Sequence, residues 1–113
     1  MNIISKTYKD IEILFSNSID ENIYLNVTNI TKSLNKDLSN WRRSSQTKEY
    51  IKALLSSVNS TELTEDKLFR VILGKGKAQG TWIHKKLIIA FARWLSPDFA
   101  VWCDSVIEEF LNL

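Results

Sequence analysis

The amino-acid sequence predicts a single α+β domain: an N-terminal β-hairpin, a helix pair, a second β-hairpin and two C-terminal helices. Three observations carry this. Apolar residues alternate with period two at Ile11, Ile13 and Phe15 and again at Ile23 and Leu25, the pattern of strands with one buried face. Leu87, Ile88, Phe91, Ala92 and Leu95, and then Phe99, Trp102, Cys103, Val106, Ile107, Phe110 and Leu111, recur at helical spacing and make two buried stripes. Between these regions Gly74, Gly76 and Gly80 interrupt two apolar segments, which marks a hairpin tip. With 113 residues, 44% of them hydrophobic, and four Trp, residues 1–113 are expected to form one domain whose core needs no metal or disulfide.

Taken in order, residues 11–15 pair with 23–25 across a polar loop, 16–22, rich in Ser, Asn and Asp. Asn26 is placed to cap a helix running to about Leu34, with Val27, Ile30 and Leu34 on one face. Residues 35–38 read as a turn. A second helix begins near Ser39 with Asn40, Trp41, Arg42 and Arg43, and Thr47 offers a fresh cap for Tyr50, Ile51, Leu54, Leu55 and Val58. Two short helices and a turn are the raw pattern of a helix-turn-helix. A polar link, 59–66, has room for one helical turn, and residues 68–73 and 81–83 then form the second hairpin around the glycine tip. A helix over 85–95 stops at Ser96-Pro97-Asp98, where Ser caps the next helix, Pro stands at the first helical position and Asp favours the positive end of the dipole.

The net charge of +2 hides an uneven distribution. Residues 67–97 carry seven Lys or Arg and no Asp or Glu, and residues 31–52 carry six against Asp37 and Glu49. Blocks of one sign on separate elements suit a polyanion, because phosphates release counterions to cationic side chains. Lys75 and Lys77 on the glycine tip and Arg42 and Arg43 at an early helical turn are the first candidates, since nothing apolar nearby needs their cover. Gln79 can add a hydrogen bond to a phosphate or a base edge, and Lys32 and Lys48 extend the set.

Other conspicuous residues read as structural. Trp82, Trp94 and Trp102 lie on apolar faces and belong to the core, and Trp41 anchors the second helix against the sheet. His84 is the only histidine, so it builds neither a zinc site nor a catalytic triad and is assigned to the strand-to-helix junction. Arg93 interrupts an apolar helix and is expected to pair with a carboxylate of the acidic last helix. Cys103, alone, packs as a small apolar residue. Gly74-Lys75-Gly76-Lys77 lacks the spacing of a Walker loop or of a dinucleotide fingerprint, so no cofactor is expected. No run approaches the length of a membrane span, and no paired carboxylates or activated nucleophile suggest an enzyme.

Four motifs together resemble a KilA-N domain over about residues 24–110: Leu25-Asn26-Val27-Thr28-Asn29-Ile30-Thr31-Lys32; Asn40-Trp41-Arg42-Arg43 with Thr47-Lys48-Glu49-Tyr50; Gln79-Gly80-Thr81-Trp82-Ile83-His84; and Ala92-Arg93-Trp94-Leu95-Ser96-Pro97-Asp98-Phe99. The sequence departs from the family's habit at Lys85, where Pro commonly follows the motif's His. The resemblance implies a small α+β DNA-binding domain of viruses, bacteriophages and bacteria, similar to fungal APSES domains and often joined to a fused or separate effector domain. It implies DNA as the partner, without membrane or small-molecule substrate, and action in the cytoplasm of a bacterial or phage-infected cell or in a host cell interior. On this basis the expectation is a winged-helix-like domain: the helical segment 40–48 lies along the major groove of double-stranded DNA, and the second hairpin is a wing on flanking phosphates. The competing expectation is a protein-interaction or dimerisation module of a phage-type or viral transcription regulator, acting through its last helix with Phe110 and Leu111 exposed.

Overall fold

The computed structural model describes residues 1–57 and 63–112. Five strands form one antiparallel sheet in the order β1-β2-β3-β5-β4: β1 (Ile3–Tyr8), β2 (Ile11–Ile19), β3 (Asn22–Asn26), β4 (Phe69–Ile72) and β5 (Gly80–His84). The helices are α1 (Val27–Ser33), α2 (Leu38–Arg43), α3 (Ser45–Ser56), α4 (Glu65–Leu68), α5 (Lys85–Leu95) and α6 (Pro97–Leu111).

The N-terminal β unit is larger than the hairpin expected from sequence. β1 adds a third strand, and β2 runs through most of the supposed loop to a tight turn at Asp20-Glu21. Both connections are two-residue turns with positive φ at each position, Lys9-Asp10 and Asp20-Glu21. That backbone is usually signalled by Asn or Gly, so its adoption by Lys, Asp and Glu conceals the turns. Ser16, Asn17 and Ser18 sit in a strand beside an irregularity in the β2–β3 register between Ser16 and Ile19.

The sheet separates two apolar clusters. One face carries Ile13, Phe15, Leu25 and Ile83, packed with Val27 and Ile30 of α1, Leu87, Ile88 and Phe91 of α5, and Phe99, Cys103 and Val106 of α6. The other carries a smaller cluster of Leu14, Tyr24 and Trp82, edged by Ile3, Ile19 and Ile72. Trp41 lies edge-on to Phe91 and tilted against Phe69, so it fixes α2 to both α5 and the edge strand. Trp94 and Trp102 are half-buried against the main core, Trp102 stacked on Phe99.

Caps set the helix boundaries. Asn26 accepts from Asn29 N–H at the start of α1. Asp37, not Ser39, opens α2, and Ser44, not Thr47, opens α3: Ser44 Oγ accepts from Thr47 N–H and lies 2.7 Å from Thr47 Oγ1. Ser96 accepts from Phe99 N–H, with Pro97 at the first turn of α6 as the sequence indicates. Leu68 ends the short α4 rather than opening the strand, and Leu73 lies beyond β4, exposed. Val58 and the first part of the polar link, through Glu62, lie outside the described residues.

Candidate nucleic-acid interface

The glycine tip does not project freely; it folds back onto the start of α1. Trp82 Nε1 donates to the Ala78 carbonyl at 2.8 Å, curling the tip over its own strand. Asn26 Nδ2 donates to the Gln79 carbonyl at 3.0 Å, and Thr81 N–H donates to Thr28 Oγ1 at 2.9 Å. Asn26 thus caps α1 with its oxygen and holds the wing with its nitrogen. Gly80 is where wing and helix approach most closely: its φ is +130°, and a Cβ there would stand 2.9 Å from Thr28 Cβ. Only glycine fits that combination.

This docking gathers Lys32, Lys77 and Gln79 around one polar recess of about 340 Å³ with Glu12 and Asn29. Lys77 Nζ is 2.8 Å from Glu12 Oε2, and this hydrogen bond is the first cause of a Glu12 carboxyl held below the usual carboxylate range. Lys75 stands at the tip, exposed and in no ion pair among the described residues, between glycines whose surroundings are open.

A second groove of about 360 Å³ lies between α2, α3 and the start of β4, lined by Arg42, Lys48 and Lys52 over Ile51, Leu55 and Phe69, with Glu65 opposite. The Arg42 guanidinium sits 4.0 Å from the Phe69 ring centroid, a cation–π contact that orients it. Arg43 points elsewhere and donates to Asn40 Oδ1 at 3.0 Å. The seven candidates are therefore distributed: Lys32, Lys77 and Gln79 share one recess, Arg42 and Lys48 share another, and Lys75 and Arg43 stand outside both.

Tertiary pairing changes the charge pattern read along the chain. Arg70 pairs with Asp20, its Nε donating at 2.9 Å, so Arg70 and Lys77 are offset by carboxylates of the N-terminal β unit, Asp20 in its second turn and Glu12 in β2. The expected pairing of Arg93 with the last helix does not form. Arg93 is exposed in a groove between α3 and α5, beside Tyr50 and Trp94, with no ion pair among the described residues. Glu109 of α6 pairs instead with Lys6 of β1 at 3.3 Å.

His84 performs the junction role expected of it. Its Nδ1 accepts from Lys86 N–H at 3.1 Å, capping α5, and its ring meets Tyr24 edge-on. Burial, followed by the charges of Lys85 and Lys86, lowers its pKa to about 4. On the last helix Phe110 is half-buried against Phe15, with ring centroids 5.3 Å apart, whereas Leu111 is exposed. Sequence reasoning missed Glu12, Thr28 and Asn29: Glu12 meets Lys77, 65 positions away, Thr28 meets Thr81, 53 away, and Asn29 donates to the Glu12 carbonyl across 17. No helix among the described residues is long and apolar enough to cross a membrane.

Comparison with known proteins agrees with the architecture. The KilA-N domain matches residues 6–113. A KilA-N domain-containing protein of Acanthamoeba polyphaga mimivirus is 30% identical over 108 residues, covering 92% of this chain and 30% of its own length. A second from the same virus is 30% identical over 110 residues, covering 91% of this chain and 42% of its own length. An uncharacterised protein of fowlpox virus is 25% identical over 113 residues, covering 98% and 73%. The chain thus spans less than half the length of the two mimivirus relatives. No solved structure matches it significantly. With its motifs, its sheet and helices, and a match over nearly its whole length in agreement, this chain belongs to the KilA-N domain family, whose members are generally DNA-binding.

Proposed function

We propose that residues 1–113 form one non-enzymatic module that binds double-stranded DNA, with Arg42, Arg43 and Lys48 of the α2–α3 segment along a major groove and the β4–β5 hairpin as a wing on flanking phosphates. The observation that supports this most directly is the docking of the wing on α1, which sets Lys32, Lys77 and Gln79 around one recess and leaves Lys75 exposed at the tip. A pre-positioned cluster loses less side-chain and loop freedom on binding than a mobile tip would. Lys75, Lys77 and Lys32 suit phosphates, whereas Arg42, Arg43 and Gln79 have the planar groups that read base edges. The viral origin of the relatives supports action inside an infected cell, and on the DNA-binding reading the module serves a longer regulator of transcription.

Fluorescence anisotropy of labelled duplex DNA across a salt series tests this. Replacing Lys75 and Lys77 together by Gln should flatten the slope of log affinity against log salt by about 0.9 for each phosphate that the wing no longer neutralises. An unchanged slope would remove the wing from the interface. Arg42→Ala or Arg43→Ala should alter sequence preference, with about 1–3 kcal/mol at stake for a bidentate base contact. Equal loss on every duplex would make them phosphate contacts, and no binding at low salt would reject the reading in favour of protein interaction.

A further inference from the structure

Lys77 is already occupied in the free protein. Its ammonium meets Glu12, 65 residues earlier in the chain, and both ends of that contact are anchored. Glu12 Oε2 also accepts from Ser5 Oγ at 2.7 Å, and the Glu12 carbonyl accepts from Asn29 Nδ2 at 2.7 Å, tying this part of β2 to α1. On the other side, Asn26 holds the tip carbonyl of Gln79. The carboxylate therefore faces the same recess as Lys32 and Gln79, an acid within a cluster that otherwise suits an anion. Yet the pair is open to solvent, with the Lys77 side chain 62% and that of Glu12 42% exposed. An exposed pair of this kind is weak and exchanges readily for another anion, and a phosphate can reach the ammonium without movement of the backbone.

We infer that Glu12 is an affinity-determining residue of the wing: it holds Lys77 in the free protein and competes with a DNA phosphate for it, so that docking exchanges one carboxylate for one phosphate. This rests on the DNA-binding reading above. Lys75 and Lys77 then differ in kind. Lys75 meets a phosphate without leaving a carboxylate, whereas Lys77 must leave Glu12, and the stranded carboxylate repels a poorly placed duplex. The wing is consequently weaker on DNA than its two lysines alone would make it, and its contribution depends on a docking geometry that separates Lys77 from Glu12.

The experiment is a double-mutant cycle on duplex DNA read by fluorescence anisotropy: the unaltered protein, Glu12→Gln, Lys77→Gln and the two together. Glutamine keeps an acceptor for Ser5 and the shape of the side chain. Should that variant unfold, Glu12→Thr, which favours an exposed strand position, gives the same comparison. Removing the competing charge should tighten binding roughly two- to fivefold, the worth of an exposed ion pair. That gain should vanish when Lys77 is already Gln. Unchanged or weaker binding by Glu12→Gln overturns the inference, as does an equal gain in the Lys77→Gln background, which would reduce Glu12 to a general repulsive charge. Absence of duplex binding in all four proteins would remove the DNA-binding reading and this inference with it; binding that is indifferent to Glu12 removes the inference alone.

Discussion

His84 combines a cap, a core contact and a charge that the fold suppresses. Protonation would remove the lone pair that Nδ1 offers to Lys86 N–H and would place a cation at the positive end of α5 beside Lys85 and Lys86. Its folded pKa, about 4, lies below the reference value of 6.5, so between these limits the unfolded chain binds more protons. Stability from this residue is complete above pH 6.5 and is lost as pH falls toward 4. Urea unfolding at pH 7.5 and pH 5 should differ by about 2 kcal/mol, and His84→Asn, which caps without titrating in this range, should remove most of that difference. Glu12, Asp20 and Asp37 carry lowered carboxyl pKa values, and their contributions fade only at lower pH, which leaves the interval above pH 5 to His84. Gly80 presents a steric case. Gly80→Ala combines positive-φ strain with a clash against Thr28 and should cost more than Gly76→Ala, which meets open space; backbone strain alone is worth about 1–3 kcal/mol, and thermal unfolding would rank the two.

Between elements, the decisive contact is that of the wing with α1. Asn26 is buried at the end of β3, where its oxygen starts α1 and its nitrogen binds the Gln79 carbonyl. Asn26→Asp keeps the cap and turns the donor into an acceptor facing a carbonyl. It should cost about 1–3 kcal/mol and speed amide exchange at the 74–80 tip, while Ser96→Ala should cost about 1 kcal/mol and leave the tip unchanged. Matching exchange at the tip in both variants would show that Asn26 does not hold the wing. The α2–α3 break has a similar economy: Ser44 ends one helix, with its hydroxyl donating to the Trp41 carbonyl, and begins the next by accepting from Thr47 N–H. Trp41, buried between Phe91 and Phe69, then carries the orientation of that break to the sheet.

Across the whole molecule, the aromatic seam of Tyr8, Phe15, Phe99, Trp102 and Phe110 joins α6 to the N-terminal strands, so the last helix closes the core. Phe110→Asp would accordingly test folding as much as any interface. Cys103 sits inside this closure, its thiol pushed up to about 12 by burial. A thiol reagent at pH 8 should therefore leave the native protein unmodified and react as unfolding proceeds, so that its rate follows denaturant. Rapid labelling without denaturant would show that α6 opens locally.

Local chemistry is legible wherever the determining residues are neighbours. Periodicity placed α5 and α6 because a buried stripe repeats within one element, and Ser96-Pro97 marked their boundary because caps act over three residues. Asn26 at α1 and the glycine tip are local for the same reason, as are the motifs that carried the family resemblance. The third N-terminal strand stayed hidden, since its turns use Lys, Asp and Glu in a backbone more often signalled by Asn or Gly. Tertiary structure alone decided which charges remain free. Lys77 and Arg70 look unopposed in a basic stretch, yet each meets a carboxylate of the N-terminal β unit, far earlier in the chain, while Arg93, expected to be paired, is left exposed. Helical and strand patterns are set by residues adjacent in sequence, whereas an ion pair depends on which strands the sheet brings together, and that is fixed only when the chain closes on itself.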